Sequence, residues 1–278
     1  MLRAGFIGMG RMGKLMASRL EGHCAVSGTD VIPSVKDGVE AAGIAWCDSI
    51  QELTRCSDVI FVVVGSEDDV TSVIFDAEGV LASADTPKIL VVCATVRPSY
   101  MQALSERISR ESLIRLLDCP LARGESAAAN GELLIFVGGD KTVLSEVEPM
   151  LQRLASDIEW LGPPGSGQVG KMINNYLLWS CLTASVEGLD LGERFGVDRE
   201  KLRMVLEKSS GANWAMSTRA DERPALWAEK DMALFLQEAD RVRMPVPIAG
   251  QIRESIKAFK LGRDLPKAPT GHDYLFPD

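Results

Sequence analysis

Short apolar, β-branched runs recur along the first half of the chain: Leu2–Ile7, Ala25–Thr29, Val59–Val64, Ile89–Cys93 and Leu113–Asp118. Each is too short for a buried helix and reads as a strand. Between them, Gly10–Glu21, Pro33–Ala42 and Arg97–Ile108 carry apolar residues at helical spacing. Strands apolar at successive positions, separated by amphipathic helices, predict a parallel sheet covered on both faces. A second set follows: Leu133–Val137 as a strand, Lys141–Leu154 as a helix and Ile158–Leu161 as a strand. It ends at Gly162-Pro163-Pro164-Gly165, the strongest punctuation in mid-chain.

Beyond that point the period changes. Ser166–Phe195 reads as one long helix, and Arg199–Lys208, Asp231–Arg241 and Gly250–Phe259 as shorter ones, with no strand between them. The pattern therefore predicts an α/β domain over residues 1–163 and an all-helical domain over 164–278. The polar, proline-containing stretch after Gly262 carries no assignment.

Composition narrows the function classes. Apolar residues make up 46% and charged residues 25%, as in globular chains and unlike collagenous or disordered ones. Thirty basic against 39 acidic residues leave a net charge of −9. Without a local basic patch, that charge repels nucleic acid and anionic membranes, so neither is an expected partner. No apolar run approaches the roughly 18 residues of a membrane span. Met1-Leu2-Arg3 leads straight into a glycine-punctuated strand, so no secretory leader is expected. The six cysteines, Cys24, Cys47, Cys56, Cys93, Cys119 and Cys181, stand singly, without metal-ligand spacing. They read as reduced thiols of a cytoplasmic protein, with no metal expected.

The sharpest motif is Gly8-Met9-Gly10-Arg11-Met12-Gly13, which follows the first strand and opens the first helix. Here the first glycine permits a tight turn, the second lets backbone approach a pyrophosphate, and the third lets helix and strand pack closely. The helix N-terminus then stabilises the phosphate charge. Asp30 ends the second strand seventeen residues past Gly13, near where an acidic residue holds the adenosine ribose hydroxyls. No arginine stands nearby to take a 2′-phosphate, so NAD is favoured over NADP.

Hydride transfer from an alcohol requires a base for the hydroxyl proton. The two histidines, His23 in a turn and His272 in the C-terminal tail, are poorly placed for this and read as surface residues. A lysine, tyrosine or carboxylate is left. In Gly165-Ser166-Gly167-Gln168-Val169-Gly170-Lys171-Met172-Ile173-Asn174-Asn175, Lys171 and Asn175 are four apart and share a helix face, with Asn174 one step round. A lysine and an amide suit a single hydroxyl. Spacing alone favours the plainer reading of Lys171 as a solvated charge.

The N-terminal Gly5-Phe6-Ile7-Gly8-Met9-Gly10-Arg11-Met12-Gly13, Asp118-Cys119-Pro120-Leu121-Ala122-Arg123-Gly124, the Gly165–Asn175 segment and Lys230-Asp231 resemble, in order and spacing, the motifs of the β-hydroxyacid dehydrogenases. The resemblance covers nearly the whole chain. It implies a Rossmann doubly wound sheet, a long interdomain helix and a helical C-terminal domain, with the active site in the cleft between domains. It further implies that Lys171 is the general acid/base and Asn175 its partner amide, with Asn174 beside the substrate. Partial burial and the nicotinamide cation would lower the lysine pKa. Thr95 resembles the family's cofactor-contacting Ser/Thr. Lys230 resembles a lysine near the nicotinamide end, the alternative being a surface Lys230–Asp231 pair. The implied substrate is a small anionic hydroxy acid, interconverted with its semialdehyde. The implied assembly is a homodimer or homotetramer, and the apolar stretch Tyr176–Leu182 suits burial between domains or subunits.

One segment departs from the family. Its usual Asp-x-Pro-Val-Ser-Gly-Gly binds the substrate carboxylate, whereas here Ala122 replaces the serine and Arg123 a glycine, with Gly124 kept. Arginine adds a fork of charge-assisted donors, and members that resemble this chain there include sulfolactaldehyde reductase. The sharper expectation is that Arg123 faces a sulfonate or a second carboxylate. The plainer one turns it outward into a salt bridge, for example with Glu125, and leaves backbone amides to bind a carboxylate. Ser126 and Asn130 read as further donors or as turn residues. The competing functions are an imine reductase or reductive aminase, against which Lys171 argues, and a dinucleotide-binding protein without catalysis.

Overall fold

In the computed structural model, which describes residues 2–111, 113–218 and 226–262, the apolar runs of the first half form the expected strands. β1 (Ala4–Ile7), β2 (Val26–Thr29), β3 (Ala45–Trp46), β4 (Val59–Val62), β5 (Lys88–Val92) and β6 (Ile114–Asp118) are parallel, in the order β3-β2-β1-β4-β5-β6. The sheet continues through β8 (Leu133–Gly139), antiparallel to β6 and to the short β7 (Leu121–Ala122); β9 (Ala155–Gly162) pairs parallel with β8.

Successive strand residues enter opposite cores, as the pleat requires. Ala4, Phe6, Val59 and Phe61 pack with residues of α1 (Arg11–Leu20), α2 (Lys36–Glu40), α7 (Gly124–Asn130) and α8 (Lys141–Leu154). Ile7, Ile60, Val62 and Leu90 pack with α3 (Ile50–Cys56), α4 (Glu67–Phe75), α5 (Val80–Ser83) and α6 (Pro98–Glu111). Phe6 and Phe61 stack with ring centroids 4.7 Å apart. Burial on both faces is why these strands read as unbroken apolar runs rather than alternating ones.

The chain divides into two compact units, Met1–Lys171 and Met172–Asp278. The Gly162–Gly165 cluster ends β9, yet the first turns of α9 (Ser166–Arg194) belong to the N-terminal unit. Glycine explains the close fit: a Cβ at Gly167 would lie 2.8 Å from the carbonyl oxygens of Asp118 and Phe136. The described residues of the C-terminal unit form helices only: the rest of α9, α10 (Arg199–Leu206), α11 (Trp214–Thr218), α12 (Ala228–Arg241) and α13 (Pro247–Gly262). Their core gathers Trp179, Ala228, Met232, Ala249 and Ile256, with Tyr176 stacked on Phe235 at 4.4 Å. His272 lies outside the described residues. Among the described residues, no helix is long and apolar enough to cross a membrane.

Candidate active site

The glycine-rich turn leaves the carboxyl end of β1. Gly8 adopts φ +95°, a left-handed conformation suited to glycine, and a Cβ there would lie 2.4 Å from the Val63 carbonyl oxygen. Gly13 is tighter, because its Cβ would come within 1.9 Å of the Gly8 carbonyl oxygen. Gly10 caps α1 without a side-chain acceptor, and the first turn, opening at Arg11 and Met12, holds no acidic residue. The first N–H groups of α1 thus face outward with the helix dipole behind them, as an anionic ligand requires. Asp30 stands beside the turn: its Oδ2 accepts from Met9 N at 2.6 Å and its Oδ1 from Ile32 N at 2.9 Å. This cradle fits the pyrophosphate and ribose of a dinucleotide.

Two loops further along the sheet meet the start of α9. The carboxylate of Asp118, fully buried at the end of β6, accepts from Gly165 N at 3.1 Å and Gln168 N at 3.0 Å, capping α9 from another element. Gly138 makes room for that carboxylate, since a Cβ there would lie 2.2 Å from Asp118 Oδ1. Burial pushes the Asp118 carboxyl above its ordinary pKa, against the pull of the backbone N–H donors. The buried Gln168 side chain reaches the loop after β5, accepting from Val96 N and donating to Ala94 O. Thr95 lies between those two residues, half-buried. On the far side of the same loop, Glu67 accepts from Arg97 N at 2.6 Å and from the Arg97 guanidinium. Lys171, half-buried, follows one turn after Gln168 on α9.

Sequence reading singled out Lys171 and Thr95 but gave no role to Asp118, Gln168 or Glu67. A glutamine at the third position of a helix carries no local signal of its partners, which lie 72 and 74 residues away.

The Leu121–Gly124 segment takes an unusual form. Ala122 is buried and ends β7, while Arg123 and Gly124 adopt φ +81° and +80°. The Arg123 guanidinium, which the sharper expectation aimed at the substrate's anion, is engaged by groups of the protein. It pairs with Asp157 Oδ2 at 2.6 Å and donates to Ser156 Oγ at 2.8 Å and Glu132 O at 3.1 Å. The salt bridge with Glu125 does not form either, because Glu125 faces Arg11 at 3.3 Å. Ser126 and Asn130 are exposed on α7.

In the C-terminal unit, the Asn174 amide donates to Asn175 Oδ1 at 3.0 Å, and Asn175 is buried. Asp231 is buried rather than at the surface and accepts from the Trp179 indole at 2.9 Å. Lys230 lies near the Trp227 ring, 5.6 Å from its centroid. His23 is exposed. Among the described residues, no three His, Cys, Asp or Glu side chains are grouped to hold a metal ion.

Comparison with known proteins matches both units. A family model described as the NAD binding domain of 6-phosphogluconate dehydrogenase covers residues 3–162, and one described as the NAD-binding of NADP-dependent 3-hydroxyisobutyrate dehydrogenase covers residues 165–265. The 2-(hydroxymethyl)glutarate dehydrogenase of Eubacterium barkeri is 30% identical over 277 residues, spanning 95% of this chain and 92% of that protein. The NAD-dependent L-serine dehydrogenase of Pseudomonas aeruginosa is 31% identical over 217 residues, spanning 78% and 72%. A solved 3-hydroxyisobutyrate dehydrogenase of Mycobacterium tuberculosis with L-serine has the same fold, with a TM-score of 0.86 at 24% identity over 96% and 97% of the two chains. With both units matched and relatives aligned along most of its length, the chain belongs to the β-hydroxyacid dehydrogenases, oxidoreductases that act on a CH–OH group with a nicotinamide dinucleotide.

Proposed function

We propose that the protein interconverts a short-chain 3-hydroxy acid and its semialdehyde, with NAD rather than NADP, and that Lys171 carries the proton. The bound dinucleotide supplies the site that accepts or returns hydride. The chain supplies the rest. The Gly8–Gly13 turn and the open N-terminus of α1 hold the pyrophosphate. Asp30 accepts from the adenosine ribose hydroxyls, and its charge disfavours a 2′-phosphate. Thr95 contacts the cofactor further along the sheet. Backbone N–H groups from Ala122 to Gly124 hold the substrate carboxylate. In oxidation the neutral Lys171 Nζ takes the hydroxyl proton, and in reduction its ammonium form returns it. Asn175, one turn on along α9, supplies an amide for the same hydroxyl.

The observation that carries this reading is the anchoring of the turn before Lys171: Asp118 caps the start of α9 at 3.1 and 3.0 Å, in the unit that holds the nucleotide turn. A general base requires such fixed placement. The engagement of Arg123 by Asp157 supports a carboxylate over a sulfonate as the substrate's anion. Relatives named for L-serine and 2-(hydroxymethyl)glutarate support a hydroxy acid. The six free cysteines support a cytoplasmic setting. Exposed Leu177 on α9 and Phe195 just past its end support assembly into dimers or tetramers.

The test is the initial rate of NADH formation on 3-hydroxyisobutyrate, glycerate, serine, 3-hydroxypropionate and 2,3-dihydroxypropanesulfonate, with wild type and Lys171→Ala side by side. A carboxylate is expected to turn over, with a loss of about a hundredfold or more in the variant. Equal rates in the two proteins, or no turnover of any acid, would sink the reading.

A further inference from the structure

Gln168 is completely buried, and both ends of its carboxamide are used: Oε1 accepts from Val96 N at 3.1 Å and Nε2 donates to Ala94 O at 2.9 Å. The side chain thus pairs with the backbone on either side of Thr95 as an adjacent strand would. Its own backbone N–H is bound to Asp118, so the carboxamide is fixed at its root as well.

Sheet order indicates which part of a dinucleotide this segment meets. Asp30 follows β2, on one side of β1, while β4 and β5 lie on the other. Ligands of open α/β sheets lie outside the carboxyl ends of the strands. With the pyrophosphate held at the Gly8–Gly13 turn and the adenosine ribose at Asp30, the nicotinamide half would extend over β4 and β5, where Ala94–Val96 emerges. Lys171 stands three positions after Gln168, on the next turn of α9.

We infer that Gln168 is a positioning residue, which locks the Ala94–Val96 segment beneath the nicotinamide to the turn of α9 that leads to Lys171. The inference rests on the function proposed above. Its physical content is that the cofactor-facing segment and the proton-carrying amine keep one separation. Glu67 holds Arg97 independently, and the Asp118 cap uses backbone N–H groups that any residue at position 168 keeps. Gln168→Met, similar in size but without the amide, is therefore expected to fold.

The experiment compares wild type, Gln168→Met and Gln168→Glu. Amide hydrogen exchange is read without nucleotide, and binding is measured for NADH and for ADP-ribose, which lacks the nicotinamide ring. In Gln168→Met the Val96 amide is expected to exchange about tenfold faster, with the β1 amides unchanged. ADP-ribose affinity stays within about twofold while NADH affinity falls about fivefold, because only the ring end loses its support. On the acid that wild type turns over, kcat falls about tenfold or more with KM nearly unchanged.

Gln168→Glu gives a signature that mere packing would not. Only the protonated acid offers both a donor and an acceptor, so the activity of this variant relative to wild type is expected to rise as pH falls. A flat ratio, equal weakening of ADP-ribose and NADH, or an unchanged Val96 amide would each overturn the assignment. The reaction itself fails on a different result, Lys171→Ala retaining turnover, and the NADH to ADP-ribose comparison does not depend on that result.

Discussion

Arg123 and Asp157 are joined by a 2.6 Å ion pair although the Arg123 backbone is left-handed, at φ +81°. That conformation costs a residue with a Cβ about 1 kcal/mol or more. Arg123→Gly removes the strain together with the ion pair, whereas Arg123→Ala removes only the ion pair. The glycine variant is therefore expected to be the more stable of the two by about 1 kcal/mol in urea unfolding. If backbone N–H groups hold the acid group, both variants keep kcat/KM on a carboxylate within about threefold of wild type. A large loss in both would return the guanidinium to the substrate.

Two glycines, the crowded Gly13 in the first turn of α1 and the left-handed Gly22 just after its end, separate strain from function. At Gly13 a Cβ would lie 1.9 Å from the Gly8 carbonyl oxygen, so Gly13→Ala must push α1 away from the turn. Overpacking of this kind costs about 1–3 kcal/mol, and NADH binding is expected to weaken at least about tenfold as the cradle opens. Gly22, at φ +77° with nothing within 4 Å of its added Cβ, is the control. Gly22→Ala is expected to lose about 1 kcal/mol of stability through the backbone alone and to bind NADH as wild type does. Equal effects on binding would show that helix placement is not what the glycines protect.

Asp30 makes a prediction about cofactor choice. Its two oxygens already accept from Met9 N and Ile32 N, so the carboxylate is held rigidly at the edge of the turn. On the proposed function, Asp30→Ala would remove the ribose acceptor and the charge that repels a 2′-phosphate. The ratio of kcat/KM for NAD to that for NADP is expected to fall at least about tenfold. A ratio that does not move would mean that another residue selects the cofactor.

These cases show what a sequence discloses and what it hides. β1, β4 and β5 were legible because burial on both faces favours apolar residues at successive positions, the buried Lys88 that opens β5 being an exception. The Gly8–Gly13 turn was legible because its constraint is local. The two-residue strands β3 and β7 are too short to carry a period, and α3 and α4 left only capping signals. Those signals were present: Ser49 accepts from Glu52 N and Ser66 from Asp69 N, each at 3.1 Å. The partners of Gln168 and Arg123 were not legible, because the sheet order that brings them together is not written in any one segment. For Arg123 the nearest acid in sequence, Glu125, was the natural guess, but the acid that pairs with it lies 34 residues away.

The acid limb of stability is expected to depend on Asp58. Arg3 reaches it with three donors, backbone N at 2.9 Å, Nε at 3.1 Å and Nη2 at 2.8 Å, tying the residue before β1 to the residue before β4. The Arg3 side chain is the main cause that lowers the Asp58 carboxyl from 3.8 to about 2. Because the folded value lies below the unfolded one, the stabilisation is complete above about pH 4 and is lost as pH falls toward 2. Asp58→Asn lacks that ionisation, so the urea midpoints of the two proteins are expected to differ at neutral pH and to converge in acid. Asp118 works in the opposite sense: its carboxyl is raised, so its contribution is present at low pH and is lost as pH rises through the folded value. Both proteins contain Asp118, and its effect cancels in the difference between them. A gap between the midpoints that stays constant down to about pH 2.5 would show that the Asp58 charge is not what the Arg3 tie depends on.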